Sequence, residues 1–158
     1  MSPDELAMLK HDFYVMAMEK MCSDMDWAGL GGNCLPACRA IFEDVKERFP
    51  QARIMVGLVE TNSGTSRCSM SDKRAILEFI QTEQPLKPDF HAWIDLDGRD
   101  FFDPVGPSWL SVTAVNNCNY LDASLAEERG VKYQSVLDAP EDVEEFYRRL
   151  LSLQRKTN

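Results

Sequence analysis

The chain has no apolar run approaching the roughly 20 residues that a helix needs to cross a bilayer. Its first residues, Met1-Ser2-Pro3-Asp4-Glu5-Leu6, have neither the basic nor the apolar segment of a secretory signal. An even set of cysteines is missing too: there are five, Cys22, Cys34, Cys38, Cys68 and Cys118, irregularly spaced. An odd count without a leader reads as reduced thiols rather than a disulfide framework. A cytoplasmic location is the expectation, with export by a non-classical route left open. Positive charge is in deficit, 17 Lys and Arg against 26 Asp and Glu, for a formal charge of −9. That balance argues against nucleic acid, whose phosphates demand a basic face, and disfavours an anionic membrane surface. It leaves a basic partner or a peptide. Repeats and low-complexity segments are also absent. What remains, 158 residues with 44% hydrophobic and 27% charged side chains, describes one globular domain over 1–158 with a sizeable core.

Histidine is scarce, with only His11 and His91 in the chain. His11, between Lys10 and Asp12, reads as a surface or capping residue, since no motif surrounds it. His91 is different. It begins the run His91-Ala92-Trp93-Ile94-Asp95, which a Leu96-Asp97-Gly98 turn separates from Arg99-Asp100-Phe101-Phe102-Asp103. Asp-Gly between β-prone runs signals a hairpin. A three-residue loop with Gly98 in the left-handed position pairs Asp95 with Arg99, Trp93 with Phe101 and His91 with Asp103. Trp93 and Phe101 then share a face with His91 and Asp103, while Ala92, Ile94 and Phe102 face the core. A two-residue Asp97-Gly98 loop would instead put Asp103 on the opposite face.

An oriented histidine needs a group to act on. Upstream, Gly31-Gly32-Asn33 leads into the apolar-periodic series Leu35, Cys38, Ile41, Phe42, Val45, a loop entering a helix. Asn33 is a good N-cap, and Pro36 is tolerated in a first turn. Cys34 then takes the first helical position, where unsatisfied N–H groups and the macrodipole favour a thiolate. Cys38, one turn deeper, reads as packing. Cys34, Cys38 and His91 offer three zinc-type ligands, but a fourth ligand of the usual kind is missing, and neither a metal nor another cofactor is expected.

The remaining chain gives a first helix capped by Ser2 or Asp4 and running to about Cys22. It carries a methionine cluster (Met8, Met16, Met18, Met21, Met25) that reads as core filler, with an adaptable partner surface as the alternative. Trp27, in the loop before Asn33, suits either a substrate cleft or packing beneath the glycines. The cysteine helix ends near Phe49, before Pro50. A buried strand follows over Ala52–Glu60, then a polar loop over Thr61–Ser71. A helix capped by Ser71-Asp72 covers Lys73 to about Thr82. Beyond the hairpin come a short helix over Leu121–Gly130, a strand over Val131–Leu137 and a last helix from Pro140 to about Leu153, with a frayed tail at 154–158. Helices followed by an antiparallel sheet make an α+β fold.

A cysteine opening a helix after a glycine-rich loop, His-Ala-Trp on a strand and Asp-Pro at the end of the next resembles the transglutaminase-like superfamily. Its wider relatives include papain-like cysteine proteases and arylamine N-acetyltransferases. The matching positions are Gly32, Cys34, His91-Ala92-Trp93 and Asp103-Pro104, over roughly the middle half of the chain; the small residue after the cysteine falls at Ala37 or Cys38, a departure from the family pattern. The resemblance implies a papain/transglutaminase-like domain with the nucleophile helix packed on an antiparallel sheet. It also implies a Cys34–His91–Asp103 triad performing acyl transfer on a peptide or protein substrate through a thioester. Hydrolysis comes first among the outcomes, as protease, amidase or deamidase; transfer to an amine and an inactive binding module of the same fold are the alternatives. The Cys34 backbone N–H is one oxyanion donor in this scheme, Asn33 and the Trp27 indole are candidates for the second, and Trp93 is a candidate substrate contact.

Overall fold

The computed structural model describes residues 1–24, 34–61, 70–83, 86–104 and 130–157. In chain order these form α1 (Pro3–Asp24), α2 (Cys34–Arg48), β1 (Arg53–Thr61), α3 (Met70–Gln81), β2 (His91–Asp95), β3 (Phe101–Phe102), β4 (Val131–Leu137) and α4 (Pro140–Thr157). Trp27, Asn33, Cys68, Cys118, the loop over 62–69 and the expected helix over 121–129 lie outside the described residues.

Local chemistry sets most of the helix ends. At α1 the choice between caps falls to Ser2. Its Oγ accepts the Glu5 N–H at 3.2 Å, and Glu5 Oε2 accepts the Ser2 N–H at 2.7 Å, a reciprocal capping box. Helix α2 ends at Arg48, with the Phe49 N–H donating to the Val45 carbonyl at 2.8 Å just before Pro50. Helix α3 begins at Met70, so Ser71 and Asp72 lie inside its first turn rather than capping it. An acid there is compatible with the positive end of the helix dipole. Helix α4 extends past Leu153 to Thr157, because Tyr147, Leu150 and Leu153 continue its apolar stripe against the core.

The four strands form one sheet in the order β3-β2-β1-β4, every neighbouring pair antiparallel. Alternation gives the sheet two distinct faces. Ile54, Val56 and Leu58 of β1, Ala92 and Ile94 of β2, Phe102 of β3 and Leu137 of β4 join one core with Phe13 and Ala17 of α1, Leu35, Ile41 and Val45 of α2, Ile76 and Phe79 of α3, and Val143 and Phe146 of α4. The expected mixture of helices and an antiparallel sheet is therefore present, with four helices and four strands among the described residues.

The other face carries Met55, Trp93, Phe101 and Tyr133. The Phe101 and Tyr133 rings are centred 4.4 Å apart, although β3 and β4 are the two edges of the sheet. With strands spaced about 4.8 Å apart, the edges of a flat four-stranded sheet lie about 14 Å apart, a gap that these two side chains close across the face.

The hairpin corrects the expected register. Ile94 pairs with Phe102 and Asp95 with Phe101, so Asp95 does not face Arg99, Trp93 does not face Phe101 and His91 is not directly across from Asp103. Leu96 is the cause: it is wholly buried in the core and continues the strand, its N–H donating to the Asp100 carbonyl at 2.9 Å. The loop is Asp97-Gly98-Arg99, closed by Asp97 Oδ1, which accepts the N–H groups of Arg99 at 3.0 Å and Asp100 at 2.8 Å. Gly98 has a φ of 85°, as expected. Because the slip is an even number of residues, every side chain keeps its face.

Candidate active site

Cys34 is the first residue of α2, and α2 packs against β2, whose first residue is His91. The Cys34 side chain lies near enough to His91 to raise its pKa. His91 Nε2 lies 2.6 Å from Asp103 Oδ2; the carboxylate accepts, so Nε2 carries the proton and Nδ1 is the nitrogen left for the thiol. Asp103 follows the two-residue strand β3, outside the ladder, and is fully buried. It reaches His91 diagonally across the strand pair, a separation that long side chains span. The structure thus brings Cys34, His91 and Asp103 together, with His91 tied directly to Asp103.

Only 15% of the His91 side chain is exposed. Burial alone would lower its proton affinity, but the Asp103 charge and hydrogen bond outweigh that, aided by the bond and charge of Cys34, and its pKa is raised to about 10. The imidazole is therefore held as imidazolium at neutral pH. Cys38, fully buried one turn deeper in α2, is different: burial, then the charges of Asp103 and Cys34, push its thiol well above the ordinary range. That keeps it protonated and inert. A thiol at a helix N-terminus beside an imidazolium is equipped for nucleophilic attack.

Trp93 is nearly buried, with its ring stacked on His91 at 6.2 Å and 20° between planes, so it stands as a wall beside the imidazole. Asn33 and Trp27 lie outside the described residues, which leaves the Cys34 N–H as the oxyanion donor that can be placed. Sequence reasoning missed Tyr133. Its hydroxyl donates to Asp103 Oδ2 at 2.7 Å, and its ring packs on Trp93 at 5.0 Å and His91 at 6.1 Å. The available signal was the alternation of Val131-Lys132-Tyr133-Gln134-Ser135, which sets Tyr133 on one face of a strand but does not say what lies across from it. Among the described residues no three His, Cys, Asp or Glu side chains form a metal-binding group, so the zinc reading of Cys34, Cys38 and His91 gains no geometric support. None of the described helices is long and apolar enough to cross a membrane. The chain matches no family model, no curated protein and no solved structure, and the geometry of the site alone carries the functional reading.

Proposed function

We propose that this protein is a cysteine-dependent acyl-transfer enzyme of the transglutaminase-like kind. It acts on peptide or glutamine-type amides through a thioester on Cys34 and releases the acyl group to water. The observation that supports this most is Cys34 at the start of α2 beside His91, whose Nε2 lies 2.6 Å from buried Asp103. His91 accepts the thiol proton and holds it as imidazolium. The thiolate attacks the amide carbonyl, and the Cys34 backbone N–H steadies the oxyanion at the helix N-terminus. His91 returns the proton to the departing nitrogen as the C–N bond breaks, leaving an acyl-Cys34 thioester. Water, deprotonated by His91, then attacks the thioester, and the thiol and carboxylic acid are regenerated. Asp103 fixes the tautomer throughout and balances the imidazolium charge.

The test uses an activated ester, p-nitrophenyl acetate, followed by mass spectrometry of the acylated peptide, and a peptide mixture scored for cleavage or glutamine deamidation. Cys34→Ala is expected to abolish the adduct, and His91→Ala to slow turnover roughly a thousandfold or more. Asp103→Asn should retain a measurable fraction, because the nucleophile and its base both survive. Unchanged turnover in Cys34→Ala or His91→Ala would sink the reading.

A further inference from the structure

Asp103 Oδ2 accepts two hydrogen bonds, from His91 Nε2 at 2.6 Å and from the Tyr133 hydroxyl at 2.7 Å. From this we infer that Tyr133 is a positioning residue, acting on His91 through Asp103. The inference rests on the acyl-transfer reading and adds to it a residue from the far edge of the sheet. Asp103 lies beyond the end of β3, outside the ladder, so backbone pairing does not fix its carboxylate. A second, charge-assisted donor on the same oxygen helps to hold the carboxylate toward the imidazole.

Tyr133 is itself well fixed. Its ring is clamped by Phe101 at 4.4 Å and Trp93 at 5.0 Å, and its strand is drawn against β1 at Gly57, which pairs with Ser135. Filling space would need only the ring, and phenylalanine would serve. The hydroxyl, aimed at the oxygen that orients His91, is what a positioning role requires.

The experiment measures the rate at which iodoacetamide alkylates Cys34 at neutral pH, by peptide mass spectrometry, in a double-mutant cycle. Tyr133→Phe keeps the ring and its packing. Alone it is expected to slow alkylation about tenfold, the scale of losing one hydrogen bond to a charged group. In an Asp103→Ala background, and in a His91→Ala background should Asp103→Ala fail to fold, it is expected to change the rate less than about twofold, since the route from Tyr133 to the thiol is already cut. A merely structural tyrosine would cost the same factor in both backgrounds, and that result overturns the inference. So does a Tyr133→Phe rate equal to wild type where His91→Ala is slow, which leaves the Cys–His unit standing. If His91→Ala itself alkylates like wild type, the underlying unit fails and the inference with it.

Discussion

Cys34 and Cys38 lie a helical turn apart on α2, yet their surroundings assign them opposite chemistry. Cys34, 6% exposed, opens the helix beside His91, whereas Cys38 is wholly enclosed one turn deeper with its thiol pushed upward. Brief iodoacetamide treatment at neutral pH should therefore modify Cys34 and leave Cys38 untouched, as read by peptide mapping; equal labelling would contradict the separation. His91 makes a second prediction. Its folded-state pKa, about 10, lies above the roughly 6.5 of an unfolded histidine, so between those values the folded chain binds more protons than the unfolded one. The stability His91 contributes is complete below about pH 6.5 and is lost as pH rises toward 10. Within that window the linkage slope is at most about 1.4 kcal/mol per pH unit. Denaturant unfolding from pH 6 to pH 10 should show this decline, and His91→Gln should remove it. Cys34, His91 and Asp103 were legible in the sequence because each sits in a short motif whose chemistry is local. Tyr133 was not, because its role depends on a contact with Asp103 that no spacing along the chain encodes.

At the scale of elements, the hairpin shows which part of a register local chemistry decides. The Asp-Gly pair announced a turn and a positive φ, and both are present. The buried side chain of Leu96 set the loop one residue further along, because an apolar residue in the core outweighs turn preference at that position. Gly98 has open space where a Cβ would stand, so Gly98→Val is costly through backbone strain alone, about 1–3 kcal/mol by chemical denaturation. Gly57 is the opposite case. A Cβ there would lie 2.0 Å from the Gln134 carbonyl oxygen, next to the irregularity between Val56 and Gly57 where the β1–β4 register shifts. Gly57→Ala must push β4 outward. It is expected to destabilise the fold by about 3 kcal/mol or more, and also to slow Cys34 alkylation in the protein that remains folded, since Tyr133 moves with β4. An alanine variant with wild-type stability would show that β4 does not approach β1 as described.

For the molecule as a whole, composition and periodicity made the layering legible. The apolar series of α1, α2, α3 and α4 and one face of every strand meet in a single core. Composition could not foretell that Phe101 and Tyr133 meet from opposite edges of the sheet. That meeting of β4 with the hairpin bears on when, during folding, the site comes into being. Strand β1 pairs with β2 from Arg53↔Asp95 to Gly57↔His91 but with β4 across a much longer stretch of chain, from Val56↔Leu137 to Thr61↔Val131, and pairings of longer range form more slowly. The tie from Tyr133 to Asp103 needs β4 in place on β1, so it closes only after that strand has docked. Refolding followed by pulses of iodoacetamide should therefore show an early state in which Cys34 behaves as an ordinary thiol. Selective reactivity at Cys34 should arrive in the final phase, making that thiol a reporter of completed assembly rather than of collapse.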